Sequence, residues 1–209
     1  MNSTAQKNEL IFSYSSGNLG EAKSFFVSMY LYLNSLAAKK STIFENILAD
    51  NFNEIEDIAP KHLKYSDCIK VSSDSKYKTN KSSNPLSNLL GDFNNINWKS
   101  VYKGFKEYNL PIDDDETIKL IKMEPGTSVP LHSHNGKEYI LVLDGSFCDE
   151  YGEYKKGDMQ INDQKIKHNP TACDKNGCVC MSITENEVVF LGKFGSILNL
   201  FTFIKSFFK

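Results

Sequence analysis

Residues 126–145 read GTSVPLHSHNGKEYILVLDG. Gly126, His132, His134, Glu138 and Gly145 fall there in the spacing G-x5-H-x-H-x3-E-x6-G, and His168 lies eleven residues past Gly157. The chain has only four histidines and three of them are in this pattern, so chance clustering explains it poorly. In an extended strand alternate side chains share a face, so His132 and His134 point the same way and can reach one ion. Asn135-Gly136 is a turn signal, and a reversal there would return Glu138 to the same point as a carboxylate ligand. His168 would come from a strand distant in sequence and tie two halves of a barrel together. Three imidazoles and one carboxylate suit Zn(II), and also Fe(II), Mn(II) or Ni(II), and ligand type does not choose among them. The expected cofactor is one divalent metal ion, with zinc the first choice.

The flanks of this stretch set its context. From Trp98 onward short apolar runs recur at Ile118 to Met123, Tyr139 to Leu143, Gln160 to Ile161, Val179 to Ile183 and Val188 to Leu191. Turn residues at Asn135-Gly136, Asp144-Gly145 and Tyr151-Gly152 lie between them, which predicts an all-β barrel or sandwich. The first sixty residues read instead as helices. Asn18 with Glu21 forms a capping-box start for a helix reaching Lys39, and Thr42 with Glu45 signals a second start that Pro60 ends. Pro85 marks the first position of a shorter helix with Gly91 past its end. Ser72 to Ser83 is almost wholly polar and reads as a linker or long loop. The expected organisation is a helical domain over residues 1–71, a linker with a short helix over 72–97, a β-barrel over 98–192 and an amphipathic tail over 193–209.

Composition excludes several classes. All 24 basic residues are lysine and the formal net charge is −2, so the guanidinium fork that best reads phosphates and guanines is lacking and no direct nucleic-acid binding is expected. Met1 to Glu9 carries no apolar run of a secretory signal, and Phe194 to Phe208 is too short and too interrupted to span a bilayer. The expectation is a cytoplasmic protein whose five cysteines are reduced thiols. Cys178 and Cys180 share one strand face and read as small buried hydrophobes, poorly placed to pair with each other. Should oxidation occur, Cys148 or Cys173 is the better partner. Asp113, Asp114 and Asp115 read as an exposed loop, and His62 as a surface histidine. The tail is expected to dock on the helical domain or on a second copy of the chain, which makes a homodimer one option, with attachment to a membrane surface as the alternative.

The residues around the histidines carry a wider likeness. Trp98-Lys99 with Gly104, residues 123–134 (MEPGTSVPLHSH), Gly136-Lys137-Glu138, residues 142–147 (VLDGSF), Gly157-Asp158-Met159, His168-Asn169-Pro170 and Cys178-Val179-Cys180 resemble the cupin domain of ChrR-type anti-sigma factors. Residues 14–22 (YSSGNLGEA) are similar to the start of that family's helical anti-sigma domain. The resemblance implies an α+β multidomain chain, a small N-terminal helical bundle followed by a C-terminal cupin barrel of the double-stranded β-helix, jelly-roll type. It also implies a regulator that sequesters an extracytoplasmic-function sigma factor while the metal-bearing cupin responds to singlet oxygen or peroxide. The family's second zinc site falls in this register on Tyr30, Asn34 and Ala37, none of which supplies a thiolate. That site is expected to be lost, with packing by Phe25, Phe26, Tyr30 and Tyr32 in its stead. The competing reading is a metal-dependent, dioxygenase-like cupin enzyme, which needs iron and an open coordination position.

Overall fold

The structure, a computed structural model, describes residues 3–53, 84–90, 95–112, 114–192, 195 and 199. His62, Cys68, the 72–83 segment, Asp113 and most of the 193–209 tail lie outside those residues. Among the described residues four helices come first: α1 (Ser3–Ser15), α2 (Glu21–Leu33), α3 (Ser35–Asn53) and α4 (Pro85–Leu90). Ten strands follow: β1 (Lys99–Tyr102), β2 (Phe105–Asn109), β3 (Ile118–Met123), β4 (His132–His134), β5 (Glu138–Asp149), β6 (Gly152–Lys155), β7 (Met159–Asn162), β8 (Thr171–Ala172), β9 (Cys178–Thr184) and β10 (Val188–Phe190). The larger sheet runs β1-β2-β3-β9-β5-β6, with β7 and β8 also paired to β5, and β10 pairs with β4 separately. This is the expected order of helices followed by a cupin-like β domain.

Alternation along the central strands sorts the apolar residues into two clusters. Ile118 and Leu120 of β3, Tyr139, Leu141 and Leu143 of β5, and Met181 and Ile183 of β9 face the helices. There they join Ala22, Phe26, Val27, Met29, Tyr30 and Ala37 in one continuous core. The opposite faces of the same strands turn inward, with Met123, Ile140, Val142, Cys178 and Cys180 packed around Phe105, Phe147 and Ala172. Because β5 is covered on both sides, its first six residues are all buried and its sequence runs nearly continuously apolar. The helical part and the β domain thus share a core.

Polar contacts reinforce that junction. Helix α2 begins at Gly20 rather than at Asn18, and no side chain of its own caps it. Asp114 does so from the β domain, accepting the Ala22 amide at 2.8 Å. A β-carbon on Gly20 would sit 2.9 Å from that carboxylate, so glycine leaves room for it. The Asp114 carboxyl is held below its ordinary range, chiefly by the Ala22 amide. Asp114, expected in a free acidic loop, is therefore the cap of a helix 92 residues away in sequence. Beside it Lys23 lies 2.7 Å from Glu116 and 3.0 Å from Glu185, and Glu185 also accepts the Tyr139 hydroxyl at 3.1 Å.

Other local expectations shift. The break between α2 and α3 falls at Asn34, not near Thr42. The Asn34 amide closes α2 on the Tyr30 carbonyl, while its side-chain oxygen accepts the Ala37 amide at 3.0 Å to open α3. Thr42 lies inside α3 and bonds back to the Ala38 carbonyl. Of the aromatics expected to pack here, Phe26 and Tyr30 are buried, whereas Tyr32 is exposed. Asn135-Gly136 forms no β4–β5 hairpin, because β4 pairs with β10. Asp144-Gly145 is not a turn either. It is an irregularity within β5, where the pairing to β9 slips between Val142 and Asp144. Gly145 has φ +70°, and a β-carbon there would collide with the Gly177 carbonyl oxygen, so both backbone and space require glycine.

Candidate metal centre

The strand framework brings His132, His134, Glu138 and His168 together, with one donor atom of each within 4.8 Å of all the others. All four are buried, at 4, 2, 6 and 0 % exposure. His132 and His134 share a face of β4, as their spacing required. Glu138 opens β5 on its inward face. His168 is held by an isolated antiparallel bridge to His132, with paired backbone bonds of 3.1 Å in both directions. The long sequence gap to His168 is thus closed by direct pairing, while Glu138 arrives by a change of sheet rather than by a hairpin.

Contacts around the cluster orient the donors. His132 Nδ1 lies 2.8 Å from the Pro130 carbonyl oxygen, and His168 Nδ1 lies 3.1 Å from Asp149 Oδ2. A carbonyl or carboxylate can only accept, so both Nδ1 atoms donate and both Nε2 atoms are left to face inward, 3.0 Å apart. Glu138 Oε2 lies 3.0 Å from His134 Nε2 and 3.3 Å from His168 Nε2, and it accepts the Asn162 amide at 3.0 Å. Gln160 donates to Asp149 at 2.7 Å.

Electrostatics fits a site that needs positive charge at its centre. Burial pushes His132 down to about 4. Burial also works against His168, yet the carboxylates of Asp149 and Glu138 hold it up to about 9. Glu138 stays well below the usual carboxylate range, since the imidazoles of His134 and His168 outweigh its desolvation. A single proton on His168 serves the facing nitrogens of His132 and His168. It does nothing for His134, whose Nδ1 is buried without a hydrogen-bond partner and whose Nε2 has only the Glu138 oxygen at 3.0 Å. Buried polar atoms are rarely left so. A cation among the four donors satisfies His134 as well. Three of the six donor separations, 3.0 to 3.3 Å, lie near the edge of a tetrahedron around zinc, about 3.3 Å for bonds of about 2.05 Å, and the rest stay within 4.8 Å. The residues therefore fit a metal ion, and the group is one that could bind it.

Asp149, Gln160 and Asn162 were not singled out from the sequence. Asp149 is eleven residues past Glu138, and an odd interval on a regular strand points to the opposite face. The slip at Gly145 reverses the alternation, which returns Phe147 to the inner cluster and Asp149 to His168. A glycine inside an apolar run was the available sign. Cys178 and Cys180 face inward as expected, their sulfurs 3.2 Å apart and buried. The Cys180 thiol is pushed well up by its neighbour Cys178 and by burial. Cys148 and Cys173, expected to be reduced, are joined in a disulfide.

Fold and donor set together define the class: helices packed on a cupin-like domain that encloses a three-histidine, one-glutamate cluster. Residues 87–186 match the family described as the ChrR cupin-like domain. The likeness to anti-sigma factors of the ChrR type extends beyond that domain to nearly the whole chain. The chain is 26% identical over 192 residues to the anti-sigma-E factor ChrR of Cereibacter sphaeroides, covering 87% of this chain and 89% of that relative. It also superposes on a chain of the crystal structure of Rhodobacter sphaeroides SigE in complex with the anti-sigma ChrR, with a TM-score of 0.75 and 26% identity over 85% of this chain and 96% of that one. Among the described residues no helix is long and apolar enough to cross a membrane.

Proposed function

We propose that this chain is a cytoplasmic anti-sigma factor that binds an extracytoplasmic-function sigma factor through its helical part. In this reading His132, His134, Glu138 and His168 hold one divalent metal ion, most simply zinc. The observation that carries the reading is the extent of the likeness: it spans helices and β domain together, in the same relative placement, rather than the β domain alone. When bound, zinc supplies no redox chemistry of its own and cross-links β4, β5 and the His168 segment. The four side chains supply a full set of donors, and Asp149 and the Pro130 carbonyl fix two imidazoles in the orientation that serves them. Oxidative stress, such as singlet oxygen or peroxide, is the signal this domain senses.

The enzyme reading finds less support. A recess of about 630 Å³ lies between helices and sheet, where Met29, Trp98, Lys122 and Leu143 line it and none of the four donors does. The test is co-purification: the full chain, expressed with a sigma factor encoded nearby, should elute as a stoichiometric complex with about one zinc per chain. Failure of every such sigma factor to associate under gentle conditions, or stoichiometric iron with oxygen consumption, would overturn the proposal.

A further inference from the structure

The Cys148–Cys173 disulfide lies outside the cluster yet encloses its supports. Cys148 is the next-to-last residue of β5 and Cys173 follows β8 directly, their Cα atoms 6.0 Å apart. Cys148 is half-buried and Cys173 exposed, so small reagents can reach the bridge from solvent. The chain between them carries His168, its Nδ1 partner Asp149, the Gln160 that holds Asp149, and the Asn162 that donates to Glu138. Cys148 immediately precedes Asp149. With the bridge closed, this whole segment is fastened at both ends. With it open, this end is held by non-covalent contacts alone: the two-residue pairing of β8 with β5, the bridge between Ser128 and Thr171, the backbone bonds that join Pro170 to Val129 and Ala172 to Gly126 and Thr127, and the Cys173 amide bond to the Ser146 carbonyl. Cys178 and Cys180, by contrast, are buried in the interior.

We infer that Cys148 and Cys173 form a reversible thiol–disulfide site whose closed state slows loss of metal from the neighbouring cluster. In a reducing compartment disulfides are uncommon and tend to be transient and redox-sensing, which suits an exposed pair better than a permanent staple. The oxidant class is a low-molecular-weight disulfide. One cysteine thiolate attacks it, forming a mixed disulfide and releasing one small thiolate. The second cysteine then attacks the protein sulfur of that mixed disulfide and releases the other small thiolate. The two cysteines lose two electrons and their two protons to the small molecule, which leaves as two thiols. Closure restricts the open-chain motions through which His168 and its partners leave the ion. The inference rests on reading the cluster as a metal centre.

The zinc-loaded full chain, held with either oxidised glutathione or a phosphine reductant, tests this by two readouts. Alkylation and peptide mass mapping should show Cys148 and Cys173 opening under native conditions on reduction and closing again with oxidised glutathione. Zinc transfer to a chromogenic chelator should run roughly tenfold faster from the reduced chain, in line with the effect of losing outer supports of a ligand. C148S and C173S should each release zinc at the faster rate with or without oxidant. Equal rates in both states of the wild-type chain, or a bridge that opens only on unfolding, overturn the inference while leaving the metal centre standing. A second zinc taken up on reduction also overturns it, since Cys148, Glu153 and Cys173 lie close enough to form a metal site of their own. A chain that loads no divalent metal in either state overturns the metal-centre reading, and this one with it.

Discussion

Phe26→Ala tests whether helices and β domain stand on one core. Phe26 is 1 % exposed, and its ring meets Tyr139 of β5 edge-on, with centroids 6.2 Å apart. Removing a fully buried phenylalanine costs about 3–5 kcal/mol, the lost transfer energy plus the cavity left behind. The ring pair is included in that sum and accounts for roughly 1 kcal/mol of it. For a chain of this length each kcal/mol lowers Tm by about 2–4 °C, so a fall of roughly 6–20 °C is expected. Thermal unfolding should be followed by far-ultraviolet circular dichroism, which reports the helices, and by near-ultraviolet signals of the β domain. Because Phe26 packs with Leu120, Leu141 and Met181 in one cluster, both signals should fall together in a single transition. Phe12→Ala is the control: Phe12 is 42 % exposed, and its loss should cost about 1 kcal/mol or less. The shared-core reasoning is refuted if Phe26→Ala costs less than about 1 kcal/mol, or if the helical signal shifts alone while that of the β domain stays in place.

Three further outcomes follow from the cluster and its surroundings. His134→Leu should abolish metal uptake, measured by elemental analysis, and lower metal-free stability by about 1–3 kcal/mol, because the buried Glu138 carboxylate loses the imidazole 3.0 Å from its Oε2. Asp149→Asn should weaken metal affinity by roughly 10–100-fold in a chelator competition, since His168 loses the carboxylate that orients it. The contacts between α2 and the β domain should also be pH-dependent. The carboxyls of Asp114 and Glu185 are held below their ordinary 3.8 and 4.5, Asp114 by the Ala22 amide and Glu185 by Lys23 against the pull of burial. Lys23 is raised above 10.5 by Glu116 and Glu185, again against burial. Depressed carboxyls contribute stability that is complete above their unfolded values and is lost as pH falls through the folded ones. The raised amine contributes below 10.5 and is lost as pH rises beyond it. The stability gap between wild type and Glu185→Gln, about 1 kcal/mol for this half-buried pair, should therefore persist between about pH 5 and 10 and close toward pH 3.

The ligand candidates were legible because their geometry is local or chemically conspicuous. His132 and His134 need only the alternation of a strand, and the rarity of histidine drew attention to His168. The β3 boundaries, Ile118–Met123, and the Pro85 helix start were likewise written in local pattern. What stayed hidden depends on tertiary contact. Asp114 caps a helix far away in sequence, so Asn18, a better local cap, lost to Gly20. The α2–α3 break sits at Asn34 because one side chain there both ends and begins a helix, which outweighs the capping pattern at Thr42. Asp149 lay on the wrong face until the Gly145 slip was known. The Cys148–Cys173 pair is set by the β5–β8 register, which spacing alone does not supply.

Strand β5 sends Glu138 inward to the imidazoles and Tyr139 outward to Phe26 and Lys23. Glu185 brackets the two, accepting the Lys137 amide on one side and the Tyr139 hydroxyl on the other. The α-carbons of consecutive residues stand about 3.8 Å apart across a rigid peptide plane. Any event that rolls this strand to carry Glu138 away from its histidines must turn Tyr139 against the helix in the same stroke. The buried donors and the contacts to α2 thus hang from opposite sides of a single amide link.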